Sequence, residues 1–464
     1  MIENYENAIR NNKKIAIWGY GYYLNEVFHR LAPNLNIIGI CDSDTKKWGT
    51  DKYNLGYKCL EPNAIMKIAD IVVLIAVQSK AVEKEIGQIL DDVNIEHYHI
   101  NEAVKHFQAQ WEKEQMDIYD AKMENIPEPD NKDLMKRFIS ISVPVEVCNL
   151  RCRYCYIGQK SAFIPKEVIY PSPQFIRRAL SRKRMGGTAL INFCGVGETL
   201  LCEELVPIVI ALLEEGHYIS IITNGILTAE ITKFINISKE YRERLFFKCS
   251  FHYAELLKKN LLKKFVDNIN LIKASNISYS IELVPEDDII DQIDEIKEFS
   301  LKNFGALPHV TVARDETTSA WPVLTTLTTK EYYNIWSQFE SQMFTFKMNN
   351  RKRQHRFCWA GERALLFSLE NGDLSPCPGN YSMGNIYQNI DENVRFQPVG
   401  KSCQNAHCIN AHAYLTLGLI DDVGDCSYLE IRDRKTITGE HWVQPRMASF
   451  MKQRLCDNYR LKEE

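Results

Sequence analysis

CNLRCRYCY, residues 148–156, follows an alternating stretch, Ile139 to Val147, that reads as a strand, so the nonapeptide sits on a loop at a strand's C-terminal end. Its thiols, Cys148, Cys152 and Cys155, are separated by three residues and then by two. Three thiolates on one short loop can ligate three irons of a 4Fe-4S cube and leave the fourth open, cysteine sulfur being the ligand that such clusters take. Zinc would want a fourth protein ligand and usually a CxxC pair at each end, and only one such pair is present. Three unrelated core cysteines fit poorly with a loop that also carries Asn149, Arg151 and Arg153.

Downstream, strand-like runs alternate with helical segments: Ala189 to Phe193 followed by CGVGETLL, Ile219 to Thr223 ending in TNG, Leu245 to Phe251, Tyr279 to Val284, and His309 to Ala313. With the cysteine strand these make six. The cysteine triplet with Tyr154 just before its last member resembles the signature of the radical S-adenosylmethionine (radical SAM) superfamily, and the resemblance extends over residues 139 to 315. Gly195, Gly197 and Glu198 match the family's glycine-rich segment ending in Glu, which there holds the methionine amino group; Val196 and Thr199 depart from it where Gly and Pro are common. The resemblance implies an α/β fold with a partial (β/α)6 TIM-like barrel, whose chemistry lies at the C-terminal strand ends. It also implies S-adenosylmethionine as cofactor and a flavodoxin or ferredoxin-type electron donor; Thr223, Asn224 and Ser250, at or near strand ends, read as polar contacts of the nucleoside, with ordinary strand polarity the alternative for Thr223 and Ser250. Reductive cleavage would give a 5′-deoxyadenosyl radical that abstracts hydrogen from a substrate.

Before the barrel, KKIAIWGYGYYLNEVFHRL from Lys13, then NIIGICDSD and ADIVVLIAV, read as βαβ units of a doubly wound domain. Gly19 and Gly21 follow the strand Ile15 to Trp18, where a helix N-terminus can approach a phosphate, and Asp42 ends the next strand, where an acidic residue meets a ribose. Leu24 stands in place of the third glycine, so nucleotide binding and a structural or partner-docking role are both open. The stretch resembles Rossmann-like domains attached to bacterial sugar-modifying enzymes, which can hold a nucleotide-sugar. Residues from Glu102 to Lys136, with Pro127 and Pro129, read as a helix and linker. The expected organisation is therefore 1–105 Rossmann-like, 106–138 helical linker, 139–320 radical SAM barrel and 321–464 a small cysteine-rich extension.

In that extension Glu370-Asn371-Gly372-Asp373 signals a hairpin, which would set Cys358 and Cys377 face to face, and Cys403 and Cys408 follow. The spacing resembles the twitch or SPASM extensions of radical SAM enzymes and implies a second, auxiliary 4Fe-4S cluster. A zinc site on the same cysteines, with His407 or His412 replacing one, is the competing reading. Cys426 is a replacement ligand or a core residue, and Cys41, Cys59, Cys202 and Cys456 read as packed thiols. Cys194 and Cys249 lie in the barrel region, as hydrogen donors or as packed residues. Glu282, Arg314 and Asp315 lie near strand ends where a base would be needed, with none assigned; RKRQHR at Arg351 to Arg356 reads as a phosphate contact or a solvated linker.

The chain has 464 residues, 45% hydrophobic and 25% charged, room for about three domains and incompatible with wholesale disorder. Lys and Arg number 56 against 60 Asp and Glu, so the net charge of −4 gives no footprint for nucleic acid. Apolar runs such as Ile71 to Val77 and Leu205 to Leu213 fall short of the ~20 residues that span a bilayer. The opening MIENYENAIRNNKK lacks a secretory h-region, so a cytoplasmic, reducing location is expected, where clustered thiols read first as metal ligands. The expected activity is radical oxidation or epimerisation of a small molecule, a sugar or nucleotide-sugar. The alternatives are peptide modification and a non-enzymatic iron-sulfur or zinc scaffold.

Overall fold

The computed structural model describes residues 12–31, 34–129, 131–160, 163, 168–421, 423 and 426–460; most of the opening segment read for a secretory signal lies outside them. The described chain forms two compact units, divided between Ile118 and Tyr119, with residues 168–172 belonging to the first.

The first unit is a fully parallel sheet of β1 (Lys14–Trp18), β2 (Ile37–Cys41), β3 (Cys59–Leu60), β4 (Ile71–Ile75) and β5 (Glu96–His99), in the order β3-β2-β1-β4-β5. Its helices are α1 (Tyr22–Leu31), α2 (Pro62–Met66), α3 (Lys80–Asp92) and α4 (Ile100–Met123). Because strand side chains alternate, Ile15 and Ile17 face a core shared with Leu24, Val27, Ile100 and Val104. Ala16 and Trp18 face the other side, with Ile65, Ile86 and Leu90. Both faces are thus covered, as a parallel sheet requires. Cys41 and Cys59 are packed thiols, fully buried.

The second unit is built on one eight-stranded sheet in the order β11-β10-β9-β8-β7-β6-β12-β13. The strands are β6 (Met135–Val143), β7 (Thr188–Gly195), β8 (Tyr218–Thr223), β9 (Leu245–Phe251), β10 (Ser278–Leu283), β11 (His309–Val310), β12 (Ala364–Ser368) and β13 (Leu374–Ser375). All neighbours are parallel except the β12–β13 hairpin, which the Asn371-Gly372 turn closes. The cysteine strand ends at Val143 rather than Val147, because Pro144 has no N–H to continue a ladder. The segment expected as a small cysteine-rich extension contributes β12, which pairs with β6 from Ala364 opposite Phe138 to Ser368 opposite Ser142. No described helix is long and apolar enough to cross a membrane.

One face of this sheet changes character along its strands. Phe138, Leu190, Tyr218 and Phe246 pack with Tyr414, Tyr428, Val443 and Phe450 of the C-terminal region. Two residues further along each strand the same face carries Ser140, Asn192, Ser220 and Lys248, and at the strand ends it reaches Cys194 and Ser250. Behind β7 lies His217, fully buried, whose Nδ1 accepts the Ala189 N–H at 3.0 Å and whose Nε2 lies 2.8 Å from the Leu180 carbonyl. Burial pushes its pKa down to about 4.

With the folded value below the unfolded one of about 6.5, the native state binds fewer protons, so this histidine's contribution is lost as pH falls from about 6.5 toward 4. Unfolding free energies from urea titrations between pH 7 and 4.5 should fall more steeply for the wild type than for His217→Gln, by up to about 3 kcal/mol; parallel curves would show that the folded imidazole takes up its proton as readily as the unfolded one.

Candidate active site

Past Val143 the backbone leaves the strand but keeps bonding to its neighbour. The amides of Val196, Gly197 and Glu198 donate to the carbonyls of Val143, Val145 and Val147, the outer two at 3.0 Å. A Cβ on Gly197 would overlap the Val147 carbonyl, so only glycine permits the approach. This seam brings Cys148, Cys152, Cys155 and Tyr154 around one cavity of about 240 Å³ with Gly195, Gly197, Glu198, Thr223, Asn224 and Ser250.

Glu198 is 3% exposed, and its carboxylate accepts from Thr223 Oγ1 at 2.7 Å, the Asn224 N–H at 2.8 Å and the Leu200 N–H at 3.1 Å. Burial nevertheless pushes its pKa up, outweighing those three bonds. Thr199, where proline is common in the resembling family, uses its hydroxyl to accept the Gly195 N–H at 2.8 Å. Asn224 Nδ2 donates to Asn149 Oδ1 at 2.6 Å and so ties the TNG turn to the thiol loop. The Tyr154 hydroxyl pairs with His252 Nδ1, a lining residue that sequence reading missed. Burial holds His252 neutral, at about 4.

The three thiols act on one another: burial pushes Cys152 up, and Cys148 and Cys155 add to it. The Leu150 N–H points at Cys148 Sγ at 3.4 Å, the kind of amide contact a cluster thiolate takes. The donor set fits an iron-sulfur cluster in composition and shared cavity, although no group of three or more His, Cys, Asp or Glu among the described residues is gathered as a ready metal site. Cys194 lines this cavity, whereas Cys249 is fully buried outside it. Of the groups considered as bases, Arg314 lines the cavity and pairs with Glu316 at 2.8 Å, Glu282 is paired with Arg432, and Asp315 caps Thr317.

Cys358, Cys377, Cys403 and Cys408 line a second cavity with Arg356, His407 and Tyr414. The bridge partner of Cys358 is Gly400, with N–H to carbonyl bonds of 2.9 Å in both directions, and not Cys377 as the hairpin reading expected. The hairpin begins only at Ala364, six residues past Cys358. Burial pushes Cys377 up to about 12 and Cys408 well above its usual range, with the other three thiols adding to Cys408. His407 lines the cavity with a buried, unpartnered Nε2; His412 and Cys426 do not line it. In the basic run Arg351 donates to the Trp321 carbonyl and Arg353 to that of Cys403 at 3.2 Å, while Lys352, Arg353, His355 and Arg356 are exposed.

In the first unit Gly19 has φ +127° and a Cβ there would lie 2.5 Å from the Ala76 carbonyl oxygen. The Asp42 carboxylate turns into the glycine loop, accepting the Tyr20 N–H at 2.7 Å, the Asp44 N–H at 2.8 Å and pairing with Lys47 at 2.8 Å. Gly21 has open space around it.

Residues 142–300 match the family model described as the radical SAM superfamily. The chain carries a radical SAM domain. Residues 11–101 match the model described as C2185-like, N-terminal. No curated protein matches the sequence. This radical SAM chain is similar in structure to Streptococcus suis SuiB bound to S-adenosylmethionine, at 14% identity and a TM-score of 0.40 over 66% of this chain and 74% of that one. It is also similar to anSMEcpe with bound AdoMet, at 12% identity and a TM-score of 0.38 over 69% and 95%. BtrN in complex with AdoMet and 2-DOIA matches at 17% identity and a TM-score of 0.25 over 55% and 81%. Likenesses of this size bear on neither site nor substrate.

Gly197→Ala should cost about 1–3 kcal/mol of stability through the overlap with Val147. By moving Glu198 and the thiol loop apart, it should weaken S-adenosylmethionine binding at least tenfold in equilibrium dialysis; unchanged affinity would show that the seam does not position the site.

Proposed function

We propose that Cys148, Cys152 and Cys155 hold a 4Fe-4S cluster and that Glu198, Thr223, Asn224, Ser250 and Tyr154 hold S-adenosylmethionine beside it. The observation that carries this is the convergence of three thiols and one buried carboxylate on a single cavity. The chemistry that the bound pair supplies is one-electron cleavage of the sulfonium to methionine and a 5′-deoxyadenosyl radical, which takes a hydrogen atom from the substrate. Glu198 supplies the counter-charge for an ammonium: a cation beside it offsets the burial that now raises its pKa. Thr223 and the Asn224 amide keep that carboxylate in place, and Asn224 holds the thiol loop. Ile222, Val284, Val312 and Ala313 give the cavity apolar walls that keep water from a radical.

The substrate we assign is a small sugar or nucleotide-linked sugar, supported by the hydroxyl and charged groups of Thr311, Arg314 and Glu316 on the same cavity. Cys358, Cys377, Cys403 and Cys408 would hold the auxiliary cluster of a twitch or SPASM-like extension, their four thiols facing one space. The first unit is a Rossmann-like domain in this reading, supported by its strand order. A flavodoxin or ferredoxin-type protein would supply the electron, in a cytoplasmic setting.

Anaerobic reconstitution followed by reduction should yield 5′-deoxyadenosine from the wild type, and Cys152→Ala should lower it at least a hundredfold with an unchanged circular dichroism spectrum. Retained cleavage in the folded variant would reject the assigned loop, and no cleavage by the wild type would favour a scaffold.

A further inference from the structure

The barrel interior below the proposed nucleoside site holds more positive charge than its own carboxylates neutralise. Lys248, on β9 and 5% exposed, has its ammonium on the neutral Asn192 side-chain oxygen. Lys347, on the helix Gln342–Asn349 and half-buried, donates to the neutral hydroxyl of Thr311 at 2.6 Å. Arg432, 1% exposed, takes the carboxylate of Glu282 and still has a buried, unpartnered Nε, while Glu316 is taken up by Arg314. Three cations thus surround one carboxylate, and the charged groups acting on Lys347 are Arg314, Arg432 and Arg351 besides Glu282. Burial and those arginines push Lys347 down to about 7. Burial first, and then Lys347, Arg432, Lys248 and Arg314, push the imidazole of His412 well below its usual range.

An ammonium with only neutral partners in a low-dielectric site is costly unless an anion completes it. Lys248, Lys347 and Arg432 do not themselves line the cavity that the thiol loop and Glu198 share, but Thr311 and Arg314 do, and the Lys347 ammonium bonds to the Thr311 hydroxyl from behind. Gln159 joins the two sides, donating to the carbonyls of Tyr154 at 2.9 Å and Arg314 at 3.1 Å. Glu198 and the Thr311–Arg314 segment therefore line one space, the carboxylate suited to an ammonium and the cationic wall at Thr311 and Arg314 to an anion.

We propose that this cationic wall binds a phosphate group of the substrate, with Arg314 and Thr311 as its contacts and Lys347 and Lys248 as the charge behind them. The proposal rests on the reading of the cavity as a radical SAM site and narrows its substrate to a phosphorylated one. Lys248, Lys347 and Arg432 against Glu282 leave two positive charges in excess, which match a dianion, and a phosphate ester carries that charge in a compact group that accepts several hydrogen bonds.

The test is anaerobic calorimetry of the reconstituted full chain with inorganic pyrophosphate, without S-adenosylmethionine. The wild type should bind pyrophosphate at least tenfold more tightly than Lys347→Met, and Lys347→Arg, which keeps the charge, should stay within about threefold of wild type. Equal binding by Lys347→Met, or equal loss in both variants, would overturn the assignment. Acetate binding as tightly as pyrophosphate would overturn the phosphate specificity, and a parallel fall in S-adenosylmethionine affinity would give the wall to that molecule's carboxylate instead. The two readings fail separately: a wild type that makes no 5′-deoxyadenosine defeats the radical reading and leaves pyrophosphate binding standing, whereas cleavage without pyrophosphate binding defeats only the phosphate site.

Discussion

The close approach of Gly197 to the carbonyls of Val145 and Val147 is the constraint on which the site depends. After Pro144 the chain can no longer run as a strand, yet it must emerge beside the glycine-rich turn for its thiols to face Glu198. Three amide-to-carbonyl bonds do this, and they require a residue without a side chain at their centre. Once the seam is closed, Glu198 caps the turn at Leu200, takes Thr223 and Asn224 from the next strand, and Asn224 reaches back to Asn149. The ring of contacts closes on the thiol loop where it began.

The chemistry of the sheet's inner face follows from strand period and from what covers each level. At its N-terminal end the face is aromatic, because the C-terminal region packs there. In the middle it is polar and cationic, and the residues that set its charge, Lys347 and Arg432, arrive from segments far along the chain. At the strand ends it opens into the cavity. The C-terminal region is thus part of the barrel's structure as well as the bearer of a second thiol cluster, and β12 beside β6 makes the two inseparable as a unit.

Much of this was legible in the sequence because it depends on local pattern. The cysteine spacing, the GVGE turn and the alternation of apolar runs are each contained within a few residues, and six parallel strands and a doubly wound first unit appear where those patterns lie. What escaped reading depended on single residues or on distant partners. Pro144 ends a strand that alternation alone would extend, and two-residue strands such as β3 are too short to show a period. Cys358 pairs with Gly400 because the hairpin starts later than the turn signal implies. Asp42 sits where a ribose contact was expected, but Tyr20, Asp44 and Lys47 take up its carboxylate. The cationic wall could not be read at all, since Lys248, Lys347 and Arg432 share no sequence neighbourhood.

The central claim is that the loop of Cys148, Cys152 and Cys155 holds a cluster with one iron open to S-adenosylmethionine. Electron paramagnetic resonance of the reconstituted, reduced protein, recorded before and after adding S-adenosylmethionine, addresses it directly. The account predicts a 4Fe-4S signal whose g values shift on addition, because the ligand joins the open iron. A cluster signal left unchanged by saturating S-adenosylmethionine would contradict it.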